Sequence, residues 1–469
     1  MSGKVPSKVI SKVSAPASAP AAPAAPNLVH GPILPTLVRL AVPNVLAMVL
    51  TVLVGIAETY YVGRLGSTPL AAMALVFPFA MLTQMMSAGA MGGGVSSAIS
   101  RALGAGQPER AEALARHAVV IGAVAGLAYS ALFLLAGPLF YRALGGRDAV
   151  LDEAVRYAAV LFSGALLVWL SNTLASVLRG SGNMRVPSVT IVLAAALQIG
   201  LGGVLGLGAG PVPSFGMVGV AAGHLIATAA MVAVLWAFLA SRHARVRLRW
   251  NGLRLEAALL ADILRVGALS CVSPVMSVLT VLVVTGLVAR LGVLPLAGYS
   301  IGQRLEFLLV PISFGIGVAS VPMVGMAIGA RDVARARRVA WTAGALSAFN
   351  LALIGFTVTL WPDLWAGLFT QDPAVLDSAR QYLRTVGPAF PLFGLGLTLY
   401  FASQGAGRVL GPVVAATLRL ALVLGVGGWL AQHGPTPAAC FQLVAAAMAA
   451  YGLATALAVG LTRWQPRPA

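Results

Sequence analysis

Charge is what this chain lacks most: Asp, Glu, Lys and Arg make up 9% of its 469 residues, against about 25% in an average soluble protein. The hydrophobic share is 59%. Apolar runs of about 20 residues recur from end to end, each long enough to cross the hydrocarbon core of a bilayer. They do not alternate in polarity as the strands of a membrane barrel do. The composition therefore excludes a soluble domain and predicts an all-α polytopic membrane protein.

Cysteine and clustered histidine are also scarce. Cys271 and Cys440 both fall in predicted spans, where a packed free thiol is expected rather than a disulfide. The five histidines show no metal-ligand spacing, and the glycine-rich turns GAG and GSG follow no strand, as a phosphate loop requires. The loops are too short for a soluble domain. We therefore expect neither an enzyme nor a sensor, no metal, and no cofactor beyond a coupling ion.

The net charge of +18 does not indicate nucleic-acid binding, because the basic residues are concentrated in short segments between spans. With the N-terminus placed inside, the inner segments hold about three times as many Lys and Arg as the outer ones. The positive-inside rule then places both termini in the cytoplasm and the protein in the cell (inner) membrane. The expected partners are membrane lipid and small-molecule organic cations, and the expected state is a monomer.

The chain divides into two halves of six spans each. Residues 1–32 are predicted to be a disordered, basic, Ala/Pro-rich arm, 33–240 an N-lobe, 241–262 a cytoplasmic linker, 263–462 a C-lobe and 463–469 a cytoplasmic tail. The twelve predicted spans are at about 36–62, 69–98, 118–140, 157–178, 187–209, 216–240, 263–289, 296–327, 339–361, 383–403, 411–431 and 438–462.

The two halves repeat each other in sequence. VGRLG at 62–66 matches VARLG at 288–292, and PLA at 69–71 matches PLA at 295–297, both at an offset of 226. Two later motifs match at 225, namely 103–111 with 328–336 and 179–187 with 404–412. Six spans are an even number, so the repeats are parallel and related by an axis along the membrane normal. This arrangement predicts a cavity between two six-helix bundles.

Two of the 13 acidic residues, Glu58 and Glu306, lie inside predicted spans. A charged side chain at the bilayer centre costs roughly 3 kcal/mol or more. Their repeat partners, Val284 and Ala80, are not acids, so the scaffold does not require a carboxylate there. Desolvation disfavours the charged form of such a group, which can therefore exchange a proton or bind sodium. We predict that both acids couple ion movement to transport.

Span 1 carries a polar stripe. Asn44, Thr51 and Glu58 are spaced by seven and share one helix face. Tyr61 is three residues beyond Glu58, from where it is expected to donate a hydrogen bond to the carboxylate. Pro43 begins the stripe and removes a backbone hydrogen bond, which predicts a kink or hinge.

Span 8 carries a second stripe, formed by Tyr299, Gln303 and Glu306. Arg304 is beside it and, deep in a span, requires an anionic partner. Glu306 is therefore either an ion-coupling residue or the structural partner of Arg304. Further candidate cavity residues are Phe77, Gln84, Met85, Asn172 and Gln198, although amides and methionines also serve as ordinary helix-packing residues.

These features resemble the multidrug and toxic compound extrusion (MATE) family over about residues 33–462. The resemblance rests on the two six-span halves, the acid before VGRLG, the turn SRALGAGQPERA and the segment GQRLEFLLVP at 302–311. It implies an antiporter that exchanges organic cations or amphiphilic drugs for protons or sodium, with rocking of two lobes around a cavity. In the family the first-span acid is usually aspartate, so Glu58 adds one methylene. Span 7 lacks the acid that some members carry there.

The leading hypothesis is a proton-driven exporter of cationic, amphiphilic compounds. A sodium-coupled exporter of a single endogenous metabolite fits the same features. A lipid-linked oligosaccharide flippase of the same superfamily would need a more cationic cavity, and Arg304 is the one cation expected deep in it. A channel fits less well, because two bundles around a midplane acid suit alternating access.

Overall fold

The computed structural model describes residues 28–249 and 255–464 as a bundle of twelve membrane spans. Eleven spans are helices long and apolar enough to cross a bilayer, and span 4 is a pair of helices bent by 42°. In chain order, spans 1 to 12 are Ile33–Leu65, Ser67–Gly104, Pro108–Ala143, Asp148–Ser163 with Ala165–Gly180, Arg185–Leu207, Gly216–Ala240, Ala257–Ala289, Val293–Gly329, Val333–Leu360, Pro373–Gly405, Leu410–His433 and Pro437–Leu461. The predicted fold class and span count are confirmed.

The predicted domain boundaries need two corrections. Span 7 begins at Ala257, so the linker is shorter than 241–262. The arm predicted to be disordered lies outside the described residues up to position 27, but its last part is ordered. Leu28 is buried against the C-lobe, and the Arg335 guanidinium donates hydrogen bonds to the carbonyl oxygens of Leu28 (3.3 Å) and Gly31 (2.5 Å).

The first halves of spans 1 and 7 pack against the opposite lobe. Leu37 and Leu40 of span 1 belong to a buried cluster with residues of spans 8, 9 and 10. Leu259 and Ile263 of span 7 belong to the buried core of the N-lobe. Each lobe therefore includes the first half of a span from the other, and the lobes are held together at the end that carries both chain termini, called here the terminal end.

Span 2 passes through the centre of this contact, and three consecutive glycines make that possible. A Cβ at Gly92 would lie 2.4 Å from Ser176 Oγ of span 4, one at Gly93 would lie 1.7 Å from Gln404 Oε1 of span 10, and one at Gly94 would lie 2.7 Å from backbone atoms of Gly267 in span 7. Three neighbouring helices therefore approach span 2 more closely than any side chain would allow.

A π-helix, Met85–Met91, interrupts span 2 just before these glycines. A π-bulge accommodates an extra residue in an α-helix. Span 2 has 38 residues and its repeat partner, span 8, has 37. This one-residue difference accounts for the change of the repeat offset from 226 to 225. The π-helix is thus an asymmetric feature of an otherwise repeated scaffold.

Candidate functional site

The first part of the site surrounds Glu58 in the N-lobe. Gln198 of span 5 donates a hydrogen bond from Nε2 to Glu58 Oε1 (2.6 Å). Tyr157 of span 4 and His224 of span 6 lie within electrostatic range of the carboxylate. Among the described residues Glu58 forms no ion pair, and its side chain is partly exposed. A carboxylate held by a neutral amide can gain or lose a charge without breaking a salt bridge.

The face of span 1 that carries Glu58 leads out of the lobe contact into an open space. Asn44 is buried and its Nδ2 donates to the Gly315 carbonyl oxygen of span 8 (3.3 Å). Thr51, two turns further along the same face, is exposed. Leu53 and Tyr60, which are also exposed, lie about 180° away around the helix. Span 1 is therefore exposed on two opposite faces, and we infer that the face of Thr51 borders a cleft between the lobes.

Span 2 supplies the adjoining wall of this cleft. Phe77 and Gln84 are exposed on the face that continues to Gly89, where a Cβ would lie 3.1 Å from the Phe314 ring of the C-lobe. Asn172 of span 4 donates from Nδ2 to Gln84 Oε1 (3.2 Å) and to Ser87 Oγ (2.8 Å). The π-helix thus lies at the floor of the cleft, and an amide pair orients Gln84 toward it.

The cleft is closed at the terminal end and open at the other. Ser97 Oγ donates to the Gln404 carbonyl oxygen, and Gln404 Nε2 donates to the Gly89 carbonyl oxygen (3.1 Å). A Cβ at Gly104 would lie 2.2 Å from the Met326 carbonyl oxygen. In the described chain, no side-chain hydrogen bond joins the lobes between Thr51 or Gln84 and the far ends of their spans. The lobes therefore part toward the opposite end.

The second part of the site surrounds Glu306 in the C-lobe. Tyr382 of span 10 donates a hydrogen bond to Glu306 Oε1. The ring of Tyr299 meets that of Tyr382 edge-on at 5.5 Å, and its hydroxyl accepts a hydrogen bond from Gln303 Nε2 (3.1 Å). The guanidinium of Arg419 in span 11 lies within electrostatic range of Glu306, over the rings of Phe393 and Tyr451. The C-lobe thus holds an acid that is hydrogen-bonded to one tyrosine, with a second tyrosine ring against the first and a cation within electrostatic range.

Comparison with known proteins identifies the fold. The MatE family model matches residues 43–204 and 270–429, one match in each half. The chain belongs to the MATE family of transporters. The FAD transporter of Shewanella oneidensis is 24% identical over 403 residues, which cover 85% of this chain and 88% of that protein. The probable multidrug resistance protein NorM of Thermotoga maritima is 24% identical over 379 residues, 81% of each protein. An outward-facing structure of a multidrug resistance MATE family transporter matches with a TM-score of 0.82 at 24% identity, covering 92% of this chain and 95% of that one.

Two contacts expected from the sequence are wrong for this MATE transporter. The Tyr61 hydroxyl donates to the Ile199 carbonyl oxygen (3.1 Å) rather than to Glu58. Arg304 is exposed and lies over the Phe369 ring at 5.2 Å, and it forms no ion pair with Glu306 in the described part of the chain. Because side chains two positions apart on a helix point about 160° away from each other, Arg304 and Glu306 face different surroundings.

The remaining predicted residues divide between the cleft and the packed lobes. Span 1 is an unbroken helix through Pro43, so the hinge there stays a prediction. Met85 is the first residue of the π-helix and is partly buried. Cys271 and Cys440 are free thiols. Thr51, Phe77 and Gln84 are exposed, whereas Asn44, Asn172 and Tyr299 are buried, and their place in a substrate cavity stays a prediction.

Three residues near the two acids were not among the predicted site residues. His224 and Tyr157 lie close to Glu58, and Arg419 lies close to Glu306. His224 and Arg419 had a usable signal, because each is an ionisable residue inside an apolar run, which by default marks a functional position. Tyr157 had no such sequence signal, because tyrosines are common near the ends of membrane spans.

Proposed function

We propose that this MATE transporter exports cationic, amphiphilic organic compounds in exchange for protons, with Glu58 as the residue that binds the coupling ion. The observation that carries the proposal is the carboxylate of Glu58, which has one amide hydrogen bond and no ion pair among the described residues and lies beside the open end of the cleft. Protonation there changes the net charge of the N-lobe site by one. The relatives named for multidrug resistance support export as the direction of transport.

The cleft offers suitable chemistry for such cargo. Phe77 and the neighbouring methionines Met81 and Met85 present aromatic and polarizable surface, while Gln84 and Thr51 offer neutral hydrogen-bonding groups. Glu58, when ionised, attracts a cation toward the N-lobe, and its protonation removes that attraction. Cargo and proton would therefore compete for one charge, which is the basis of exchange.

In our proposal the transporter is a monomer in the inner membrane with both termini in the cytoplasm. The terminal end, where the lobes meet, is then the cytoplasmic side, and the cleft opens outward. The excess of Lys and Arg in the segments at the terminal end supports this orientation. Exchange requires the contacts of Asn44, Ser97 and Gln404 to separate in the alternate state.

A second candidate is export of one endogenous metabolite, because a curated relative is a FAD transporter. A flavin nucleotide is an anion, and the exposed guanidinium of Arg304 and the partly buried one of Arg419 supply positive charge in the C-lobe. In this version the coupling ion, proton or sodium, would act at the same Glu58.

The test is transport into liposomes that hold the purified protein under an imposed pH gradient. We expect movement of a fluorescent organic cation for the wild type and for Glu109→Gln, an exposed acid outside the cleft, and loss of that movement for Glu58→Gln. Parallel runs replace the pH gradient with a sodium gradient and the cation with FAD.

Three results would contradict parts of the proposal. Unchanged transport by a correctly inserted Glu58→Gln protein would show that Glu58 does not bind the coupling ion, and Glu306 would then be the candidate coupling residue. Movement driven by sodium alone would reject the proton. Transport of FAD but of no cation would establish the second candidate in place of the first.

A further inference from the structure

Residues 242–249, which follow span 6, form a segment in which buried apolar residues alternate with arginines. Arg245 and Arg249 are exposed and Arg247 is half-buried. The residues between them belong to the buried core of the N-lobe, namely Ala244, Val246 and Leu248. Alternation with a period of two places successive side chains on opposite sides of an extended chain. This segment, called here the arginine strip, is therefore fixed to the N-lobe by one edge and presents basic groups on the other.

Backbone hydrogen bonds hold the arginine strip beside the ends of spans 3 and 6. The Leu248 amide donates to the carbonyl oxygen of Leu239, in the last turn of span 6 (3.0 Å). The Arg247 amide donates to Oε1 of Glu112, near the start of span 3 (3.3 Å). The strip thus turns back along span 6 instead of extending away from the membrane.

The contact with span 3 places the strip at the depth of the lipid headgroups. The Arg116 guanidinium donates to the Arg249 carbonyl oxygen (3.1 Å). Arg116 is the last charged residue before the run 118–140, which has no charged residue and is long enough to cross the hydrocarbon core of about 30 Å. Arg249 therefore lies just outside the hydrocarbon, where the phosphate groups of phospholipids are found.

An exposed apolar face of span 6 leads to the strip. Ile226, Ala233 and Ala240 are spaced by seven, share this face and are all exposed. An apolar face that is exposed along a membrane span borders lipid. Ala240 is the last residue of the span, and Arg242 follows two positions later. A phospholipid whose acyl chains lie on this face would have its headgroup beside the strip.

The four arginines of the strip form no ion pair among the described residues. From their side chains, Arg245 donates to the Ser181 carbonyl oxygen (3.4 Å) and Arg247 to the Arg242 carbonyl oxygen (3.3 Å). Glu112, the acid that contacts the strip, accepts a backbone amide and not a guanidinium. Each guanidinium has five N–H donors, so most of the donors remain available to an anion outside the protein.

We propose that the arginine strip binds anionic phospholipids in the leaflet at the terminal end. Guanidinium groups form strong charge-assisted hydrogen bonds with phosphate oxygens, and a basic segment next to a membrane span attracts anionic lipid. The strip is anchored in the N-lobe core alone, so bound lipid stabilises that lobe without joining the two lobes. The site does not depend on which compound is transported or on the coupling ion.

The first experiment is native mass spectrometry of the purified protein in detergent with added phosphatidylglycerol or phosphatidylcholine of the same acyl chains. We expect the wild type to bind phosphatidylglycerol more tightly than phosphatidylcholine. The triple variant Arg242→Gln, Arg245→Gln, Arg249→Gln should bind phosphatidylglycerol roughly tenfold or more weakly, because each arginine near the headgroups adds to the attraction. Its binding of phosphatidylcholine should not change.

Two further variants separate the strip from charge in general. The matched control replaces three exposed arginines of other segments at the same end by glutamine, namely Arg185, Arg331 and Arg338, and should keep phosphatidylglycerol binding within about twofold. Replacing Arg242, Arg245 and Arg249 by lysine retains the charges and should retain most of the binding.

The second experiment measures thermal unfolding in phosphatidylcholine nanodiscs with and without phosphatidylglycerol. The midpoint should rise with phosphatidylglycerol for the wild type and the matched control, because a ligand of the folded state stabilises it, and should not rise for the triple glutamine variant. Equal midpoints for the wild type in both lipids would reject stabilisation of the N-lobe.

Other outcomes would overturn the assignment. Equal binding of the two lipids by the wild type would show that the strip does not select anionic lipid, and equal losses in the triple variant and the matched control would show a general charge effect. Displacement of the lipid by inorganic phosphate or by a single-stranded RNA oligonucleotide would indicate a free anion or a nucleic acid instead. If the triple variant does not fold, Arg249→Gln, with an expected loss of about fivefold, decides the question.

Discussion

At the scale of single residues, the N-lobe acid and the C-lobe acid have different surroundings. Glu58 accepts a hydrogen bond from the neutral amide of Gln198. Glu306 accepts one from the hydroxyl of Tyr382 and lies in the field of Arg419. A nearby cation favours the ionised form of an acid. The two acids therefore differ in their described neighbours, and in our proposal Glu58, whose hydrogen bond comes from a neutral amide, is the site of proton exchange.

Replacing Gln198 tests this difference. The amide fixes the position of the Glu58 carboxylate, so Gln198→Leu should slow proton-driven cation transport. A hydrogen bond to a charged group is worth about 1.5–3 kcal/mol, which corresponds to a loss of about tenfold or more in the transport rate. The measurement is cation transport in liposomes at a series of pH values.

The matched control is Gln303→Leu, which removes an amide bonded to Tyr299 in the other lobe and should slow transport less than Gln198→Leu does. A Gln198→Leu transport rate equal to that of the wild type at every pH would mean that the contact between Gln198 and Glu58 has no part in transport.

At the scale of elements, span 2 differs from its repeat partner by the π-helix Met85–Met91. One extra residue rotates everything before it by about 100° relative to a regular α-helix. That rotation brings Phe77 and Gln84 to the cleft while the glycines Gly92 and Gly93 stay against spans 4 and 10. In our proposal, the π-helix therefore decides which side chains of span 2 contact the cargo.

Deletion of Met86 should convert this segment to a regular α-helix. We expect a protein that still inserts, because the span stays long enough, but with little cation transport, because Gln84 turns away from Asn172 and from the cleft. Transport in liposomes and the yield of monodisperse protein are measured together.

Removing Gly210 from the exposed loop between spans 5 and 6 is the control, since surface loops tolerate length changes. Wild-type transport after loss of Met86 would show that the π-helix has no bearing on the cleft.

At the scale of the whole molecule, the lobes are joined by close backbone contacts at one end and are separated at the other. Thr51 and Ala47 lie one turn apart on span 1, yet Thr51 is exposed and Ala47 is fully buried. If the cleft holds water, a thiol at position 51 should react with a membrane-impermeant reagent and one at position 47 should not. Both variants are made in a background in which Cys271 and Cys440 are replaced.

For Thr51→Cys in oriented vesicles, we expect reaction from the side opposite the termini and protection by an added transported cation. Equal reactivity at positions 51 and 47 would mean that the cleft does not exist in the membrane. Reaction of Thr51→Cys only from the terminal side would reverse the proposed orientation.

The sequence alone determined the membrane architecture, because the span count, the two-fold repeat and the division into lobes follow from long apolar runs and matching motifs that depend on local order. It also singled out Glu58 and Glu306, since a carboxylate in an apolar run is conspicuous without any structure. The extra residue in span 2 was visible as a change of repeat offset, although the sequence did not show that it produces a π-helix.

Only the tertiary structure showed which side chains form hydrogen bonds with each other across the fold. Gln198 lies 140 positions from Glu58 and Gln404 lies 315 from Gly89, and a pattern along the chain carries no information about such distances. Contacts predicted from closeness in sequence were wrong for the same reason. Tyr61 and Arg304 are close in sequence to the acids, but Tyr61 contacts Ile199 and Arg304 contacts Phe369.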